Sequence, residues 1–423
     1  MDSQNNKNLN TTNNINKVPA ASVSSGNNRV SEPTILPPKE PHKRKRRWFL
    51  ILLVLIVVMS VIATTAYIIV TNNNKDKTSD ENKDDEVEED IPVSTNTTIV
   101  FGNEVTVNGT GATAEGNNVT ITSAGTYVIS GDVADGSITV NAPAKEVTLM
   151  LGGTKIKSTS DAAIKVLASL RTTITLKDGT TNYVEDGGTS QYDAAIYSSS
   201  PITINGTGAL ELAGNVKNGI AAESTDITVN SGKIKITSPN DGIKTSGVIT
   251  INGGNMYIDA STYSLDSAQN VTINGGEIYL VGGTAAVNSG TNSEGTYLVN
   301  GGTVVELGSN IVILPDEDST QKTLLFNFAS LIKDKDIFSL TDNKQKEIVS
   351  FVVGKEIKTI TISTADIANA TYNLYSGVKH AGMPSYGIYP KDEMTLGTQI
   401  KIDNTSDFVV EKTNNWFGVS TTE

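Results

Sequence analysis

A motif that returns about every 22 residues constrains this chain more than any other feature of its sequence. A short apolar and threonine strand ending in asparagine recurs as ITIN at 202–205, ITVN at 227–230, ITIN at 249–252, VTIN at 271–274 and YLVN at 297–300. The starts are spaced 25, 22, 22 and 26 residues apart, and VTLM at 147–150 and TITL at 173–176 are earlier relatives. Each repeat holds three short strands joined by turns. That length and strand count match one coil of a parallel β-helix, whose rungs stack at the inter-strand spacing of about 4.8 Å. A propeller blade would need roughly 40 residues and four strands.

Alternation within each strand assigns Ile202 and Ile204 inward and Thr203, Thr228, Thr250 and Thr272 outward, as a threonine stripe. Asn205, Asn230, Asn252, Asn274 and Asn300 fall at one corner, where stacked amides can bond coil to coil. The glycines after them, as at 253–254 and 275–276, take the backbone angles such a corner needs. With 37 glycines, 5% aromatic residues and no cysteine, the chain is an all-β protein held by packing and hydrogen bonds. Disulfides and thiolate metal sites are excluded. The fold expected is a right-handed parallel β-helix over 99–314, with residues 99–130 capping its first rung. Residues 315–423 lose the period but keep β patterning, as a second cap or a small separate β domain.

The N-terminal part is different in kind. Residues 1–47 are polar and expected to be a disordered cytoplasmic tail. They end in five consecutive basic residues at 43–47, and an apolar run without charge follows from Phe49 to Val70. Twenty-two residues at about 1.5 Å each can cross a bilayer core of about 30 Å. Residues 48–70 are therefore expected to be a transmembrane signal anchor, and retention of positive charge in the cytoplasm places the bulk of the chain outside the cell. Cleavage near the small residues at 64–66 is the alternative. Residues 71–98, with seven residues at 84–90 that include six acids, read as an acidic linker. The net charge is −13, yet residues 1–70 hold nine Lys/Arg against three Asp/Glu, so the remainder is strongly acidic. That part repels nucleic acid and would need a bridging cation for an anionic partner.

Candidate chemistry lies in the third strand of several coils. It opens with DAAI at 161–164 and 193–196, NGI at 218–220 and DGI at 241–243. Asp161, Asp193, Asn218 and Asp241 on stacked rungs could share calcium, which takes several hard oxygen ligands in flexible geometry. Alternatively each carboxylate bonds its own turn. The first two motifs carry one extra alanine, which shifts Asp161 and Asp193 relative to Asn218 and Asp241. Lys165 and Lys244 follow the inward isoleucine and should stand beside the acids, where a uronate lyase would need a base. They equally suit a solvated β face. With only two histidines, neither a triad nor a histidine metal cluster can be assembled. Tyr183, Tyr192 and Tyr197 lie near the Asp193 motif and could stack on sugar rings, or be half-buried strand residues.

Taken in order, GTYVISG at 125–131, VTLMLG at 147–152, DAAIY at 193–197, ITINGTG at 202–208 and DGIK at 241–244 resemble a bacterial family of carbohydrate-binding domain-containing surface β-helix proteins. ITIS at 360–363 and YNLY at 372–375 extend the resemblance to roughly residues 99–380. It implies an architecture related to pectate-type polysaccharide lyases, calcium binding, and attachment to cellulose or acidic pectic polysaccharide without a need for catalysis. The expected function is thus a membrane-anchored, calcium-assisted, polysaccharide-binding protein outside the cell. A uronate polysaccharide lyase and a structural surface adhesin or spacer are its rivals.

Overall fold

The structure, a computed structural model, describes residues 34–35, 96–188, 192–290, 295–309, 311–402 and 408–419. The expected membrane span at 48–70, most of the tail and nearly all of the acidic linker lie outside the described residues. No helix among the described residues is long and apolar enough to cross a membrane.

From Asn96 onward the chain winds as a parallel β-solenoid of about seven turns, and each turn adds one strand to each of three ladders. The first ladder stacks Arg171–Leu176, Ile202–Gly206, Ile227–Val229, Ile249–Ile251, Val271–Ile273 and Tyr297–Val299. The second stacks Thr181–Glu185, Ala209–Ala213, Lys233–Ser238, Asn255–Ala260, Glu277–Gly282 and Thr303–Gly308. In the third, Ser137–Asn141, Ile164–Ala168, Ala194–Ser198, Asn218–Ala222, Ile243–Thr245, Tyr263–Ser267 and Ala285–Ser289 follow one another. The two long strands Gly125–Val133 and Glu146–Lys157 serve the first and second ladders together, because a bulge between Ile129 and Gly131 turns the corner without a break.

The expected registers are found. Thr173, Thr203, Thr228, Thr250 and Thr272 align on the outer face of the first ladder, and Ile174, Ile204, Val229, Ile251 and Ile273 align inside, fully buried. At the corner Asn252 donates to Asn230 at 2.8 Å, Asn274 to Asn252 at 2.9 Å and Asn300 to Asn274 at 3.1 Å. Asn205 instead accepts from the Thr175 hydroxyl at 2.9 Å. The second glycine of each pair takes the left-handed angle, with φ of 97° at Gly254 and 100° at Gly276. A methyl group on Gly276 would lie 2.5 Å from the Gly254 carbonyl oxygen, so the corner is closed to any side chain.

Both ends are covered. Asn96–Phe101 lies parallel to Gly125–Val133 and folds back through Thr106–Asn108, and Ala112–Glu115 closes the edge of Asn118–Ile121. At the other end Ile357–Thr364 pairs antiparallel with Thr303–Gly308 and with Thr323–Ile332. The C-terminal region is both a cap and a unit with its own core. Phe326, Phe328, Phe338 and Phe351 pack there, and the same cluster takes in Tyr279, Val281, Val305 and Leu307 from the outer face of the second ladder. Thr34–Ile35 pairs in parallel with Ile311–Val312.

A carboxyl group lies inside the last rungs. Glu306 is buried in register with Leu280 and accepts a hydrogen bond from the Tyr297 hydroxyl. Burial pushes its carboxyl from 4.5 up to about 7, against the opposing pull of the tyrosine hydrogen bond. The folded chain therefore holds a proton that the unfolded chain releases within that window, and stability falls as pH rises through it. Two outcomes are expected from denaturant unfolding. Ile251→Ala should cost about 3 kcal/mol and Thr250→Ala under about 1 kcal/mol. Glu306→Gln should gain on the parent chain by on the order of 2–3 kcal/mol between about pH 5 and pH 8, and a constant difference across that range would refute the assignment.

Candidate functional site

The outer face of the third ladder gathers most of the residues singled out from sequence. The inward column Ile164, Ile196, Ile220, Ile243, Leu265 and Val287 is buried, so the residue after each stands outside. Lys165, Tyr197, Ala221, Lys244, Asp266 and Asn288 consequently form one straight column.

At the Tyr197 level this face carries an apolar floor of Ala162, Ala194 and Ala221, flanked by Leu167. Tyr192 packs on Tyr197 with ring centroids 4.6 Å apart and planes tilted by 49°. The Tyr197 hydroxyl donates to Glu223 at 2.7 Å, and burial together with Glu223 raises its pKa. Tyr197 is only 7% exposed, whereas Tyr192 is half-buried. Tyr197 therefore lies under the platform as a buried strand residue, one of the two alternatives open to these tyrosines, and Tyr192 tops it. The Lys165 ammonium lies 5.9 Å from the Tyr192 ring centroid and pairs with Asp161 at 2.6 Å. On the far side Lys217 pairs with Asp193 at 2.6 Å.

Lower on the same column, Lys244 bridges two rungs, pairing with Asp241 at 2.9 Å and Asp266 at 2.8 Å. Burial raises the Asp241 pKa against the Lys244 hydrogen bond that lowers it. Burial works against the charge on Lys244 as well, but Asp266 and Asp241 more than offset it and hold the ammonium well above its usual range. Lys244 therefore stays protonated and is unsuited to take a proton from a sugar.

The extra alanine has the expected effect on register. Ala194, not Asp193, aligns with Asn218, so Asp161 and Asp193 stand one residue out of line with Asn218 and Asp241. The four expected calcium ligands do not converge. Asp161 accepts from the Ala162 amide and Lys165, and Asp193 pairs with Lys217. Asn218 accepts from the Asp241 amide and from Asn240, while Asp241 accepts from Lys244, Asn240 and the Tyr263 amide. Each of the four side chains is thus bonded to an N–H donor or an ammonium group that would compete with calcium. No group of three acidic or histidine side chains among the described residues is placed to hold a metal. The set does not fit the ion.

Sequence reasoning missed Lys217, Glu223 and Asp266. Their signal was the period itself, since each lies about one coil after the residue it contacts. Tyr183 is elsewhere, on the second ladder at Thr181–Glu185, and does not join Tyr192 and Tyr197.

With this face defined, comparison with known proteins is informative. A family model described as carbohydrate-binding domain-containing protein matches residues 115–370, which hold the whole platform. The chain belongs to this family. A carbohydrate-binding domain-containing protein of Acetivibrio thermocellus is 33% identical over 152 residues, covering 33% of this chain and 53% of the relative. The chain thus spans about half the length of that curated relative. Among solved structures, the polysaccharide lyase-like protein from C. thermocellum, studied as a gadolinium derivative, is 27% identical. Its match covers 52% of this chain and all of that one, with a TM-score of 0.40.

Removing the bridging ammonium should expose its role in this face. Lys244→Met leaves Asp241 and Asp266 facing each other on adjacent rungs. A loss of about 2 kcal/mol is expected at neutral pH, below the value for a fully buried pair because Lys244 is partly solvated. Unfolding at about pH 4, where Asp241, its pKa raised by burial, can take up a proton, should show a smaller loss. An equal loss at both values would show that the effect is packing alone.

Proposed function

We propose that the solenoid is a noncatalytic polysaccharide-binding module whose third ladder presents the sugar site. The observation that carries this reading is the half-buried Tyr192 ring, held on Tyr197 and bordered by the Asp161–Lys165 and Asp193–Lys217 pairs. A tyrosine face suits the apolar face of a sugar ring, and polar groups along a rigid edge suit its hydroxyls. Each lysine here is already neutralized by an acid, so this platform favours an uncharged glycan such as cellulose. It works with the chain's own ammonium groups in the place given above to calcium. A lyase reading is disfavoured by the charge state of Lys244 and by the pairing of Lys165.

The basic cluster at 43–47 and the apolar run after it support display of this module outside the cell, tethered through residues 48–70 with the acidic linker as a spacer. One observation favours a different path for the tail. The pairing of Thr34–Ile35 with Ile311–Val312 supports the alternative in which both segments share one compartment.

Titration calorimetry with cello-oligosaccharide tests the module. Tyr192→Ala should weaken binding about tenfold or more, and Tyr197→Phe, which removes the Glu223 contact, should weaken it less. Binding should survive a chelator, and no unsaturated product should form from a uronate polymer. Full binding by Tyr192→Ala would overturn the site. The chain has no cysteine, so an introduced one is a unique label. On intact cells an impermeant maleimide should label Asp178→Cys and spare Ser25→Cys if the tail is cytoplasmic. Labelling of both supports the paired arrangement.

A further inference from the structure

The chain reaches Tyr192 through a corner at 186–188, directly after the second-ladder strand Thr181–Glu185. Asp186 is fully buried at this corner. Its Oδ1 accepts from the Asn215 amide at 2.5 Å, and the Asn215 side chain reaches back to the Asp186 carbonyl and to Glu185, each at 2.9 Å. Among the described residues Oδ2 has no partner. Burial pushes this carboxyl from 3.8 up to about 6, against the pull of the Asn215 and Val216 amides. An ionized carboxyl opposes its own burial unless its oxygens are bonded, and groups placed in this way gather at functional sites. The registers set Ser158, Gly214 and Ser238 at the same corner of neighbouring coils. Of these four positions, the one with a carboxylate is on the coil that carries Tyr192.

The turn that Asp186 holds belongs to the platform. It spans 214–217 and leads into the third-ladder strand Asn218–Ala222. Lys217 at its end pairs with Asp193 at 2.6 Å, and the Asn218 amide and side chain both donate to the Asp193 carbonyl, at 2.9 and 3.1 Å. Asp193 directly follows Tyr192. One short turn therefore grips the chain on both sides of the ring, at Asp186 before it and at Asp193 after it. From the preceding coil the 158–160 turn closes on the same corner. A methyl group on Gly188 would lie 2.7 Å from the Thr159 carbonyl oxygen, and the φ of 76° there is left-handed.

We infer that Asp186 is the positioning residue of the sugar platform. Its carboxylate holds the 214–217 turn against the corner, the turn holds Asp193, and the two anchors together seat Tyr192 on Tyr197. Asp186 is buried and acts without touching the sugar. The inference rests on the polysaccharide-binding reading of the third ladder, and adds a group beneath the surface that sets its affinity.

Calorimetry with cello-oligosaccharide on the full chain, together with amide hydrogen exchange on the ligand-free chain, tests the role. Asp186→Ala should weaken binding about tenfold. Asp186→Asn keeps an oxygen for the Asn215 amide and should bind within about threefold of the parent chain. In a Tyr192→Ala background Asp186→Ala should cause no further loss, because it acts through that ring. Without sugar, Asp186→Ala should speed exchange of the Asn218 amide, which bonds Asp193 and not Asp186, and leave the Ile138 amide three coils earlier unchanged. Losses that add to those of Tyr192→Ala, or faster exchange at both amides alike, would overturn the positioning role and mark Asp186 as general support for the solenoid. If the parent chain binds and Asp186→Ala binds equally, the platform stands and the role of Asp186 falls. If the parent chain binds no sugar, the sugar reading falls, and the exchange at Asn218 against Ile138 decides whether Asp186 anchors the Tyr192 segment.

Discussion

Backbone hydrogen bonding between successive coils is the interaction on which everything else in this molecule depends. Each strand is fixed residue by residue to the strand one coil away, so a side chain has its neighbours chosen for it about 4.8 Å above and below. The inward columns answer this with isoleucine, valine and leucine, buried throughout. A slip of one residue would turn every such side chain outward, so burial fixes the register as firmly as the hydrogen bonds do. The same constraint acts on the surface, where it converts a one-dimensional repeat into straight columns of like positions.

Those columns carry an electrostatic cost that the sequence resolves locally. Acids one coil apart would repel, and on the third ladder a lysine is set against each: Lys165 against Asp161, Lys217 against Asp193, and Lys244 between Asp241 and Asp266. The surface that results is rigid, polar and close to neutral. On the second ladder the column runs Asp132, Lys155, Tyr183, Glu211 and Lys235, and two of its ammonium groups lean over tyrosine rings. Faces of one solenoid can therefore differ in charge although they share a backbone geometry, because each is written by a separate position within the repeat.

How much of this the sequence disclosed depends on the range of the interaction. The period, the threonine stripe, the asparagine corner and the displacement of Asp161 and Asp193 from Asn218 are consequences of local pattern, and all were legible. The partners of the acids were harder. Lys217 and Glu223 belong to no motif and meet Asp193 and Tyr197 only because one coil happens to bring them level. Convergence of the three acids and Asn218 on calcium was expected from their recurrence, but recurrence does not reveal that a neighbouring ammonium or amide bonds each of these side chains. Tyr183 lies nine residues before Tyr192 in the chain, and nothing in that spacing shows that a corner sends the two to different faces. The roof over Tyr257 and Tyr279 comes from residues about a hundred positions away, beyond the reach of any periodic argument.

The central claim is that a glycan is held on the outer face of the solenoid by an aromatic ring set among fixed charges. A crystal structure of the chain soaked with a neutral oligosaccharide tests it most directly. The account predicts a sugar ring within about 4 Å of Tyr192, with its hydroxyls reaching the Asp161–Lys165 and Asp193–Lys217 pairs. A sugar bound on the threonine stripe of the first ladder, or at the asparagine corner, with the Tyr192 face left bare, would contradict it.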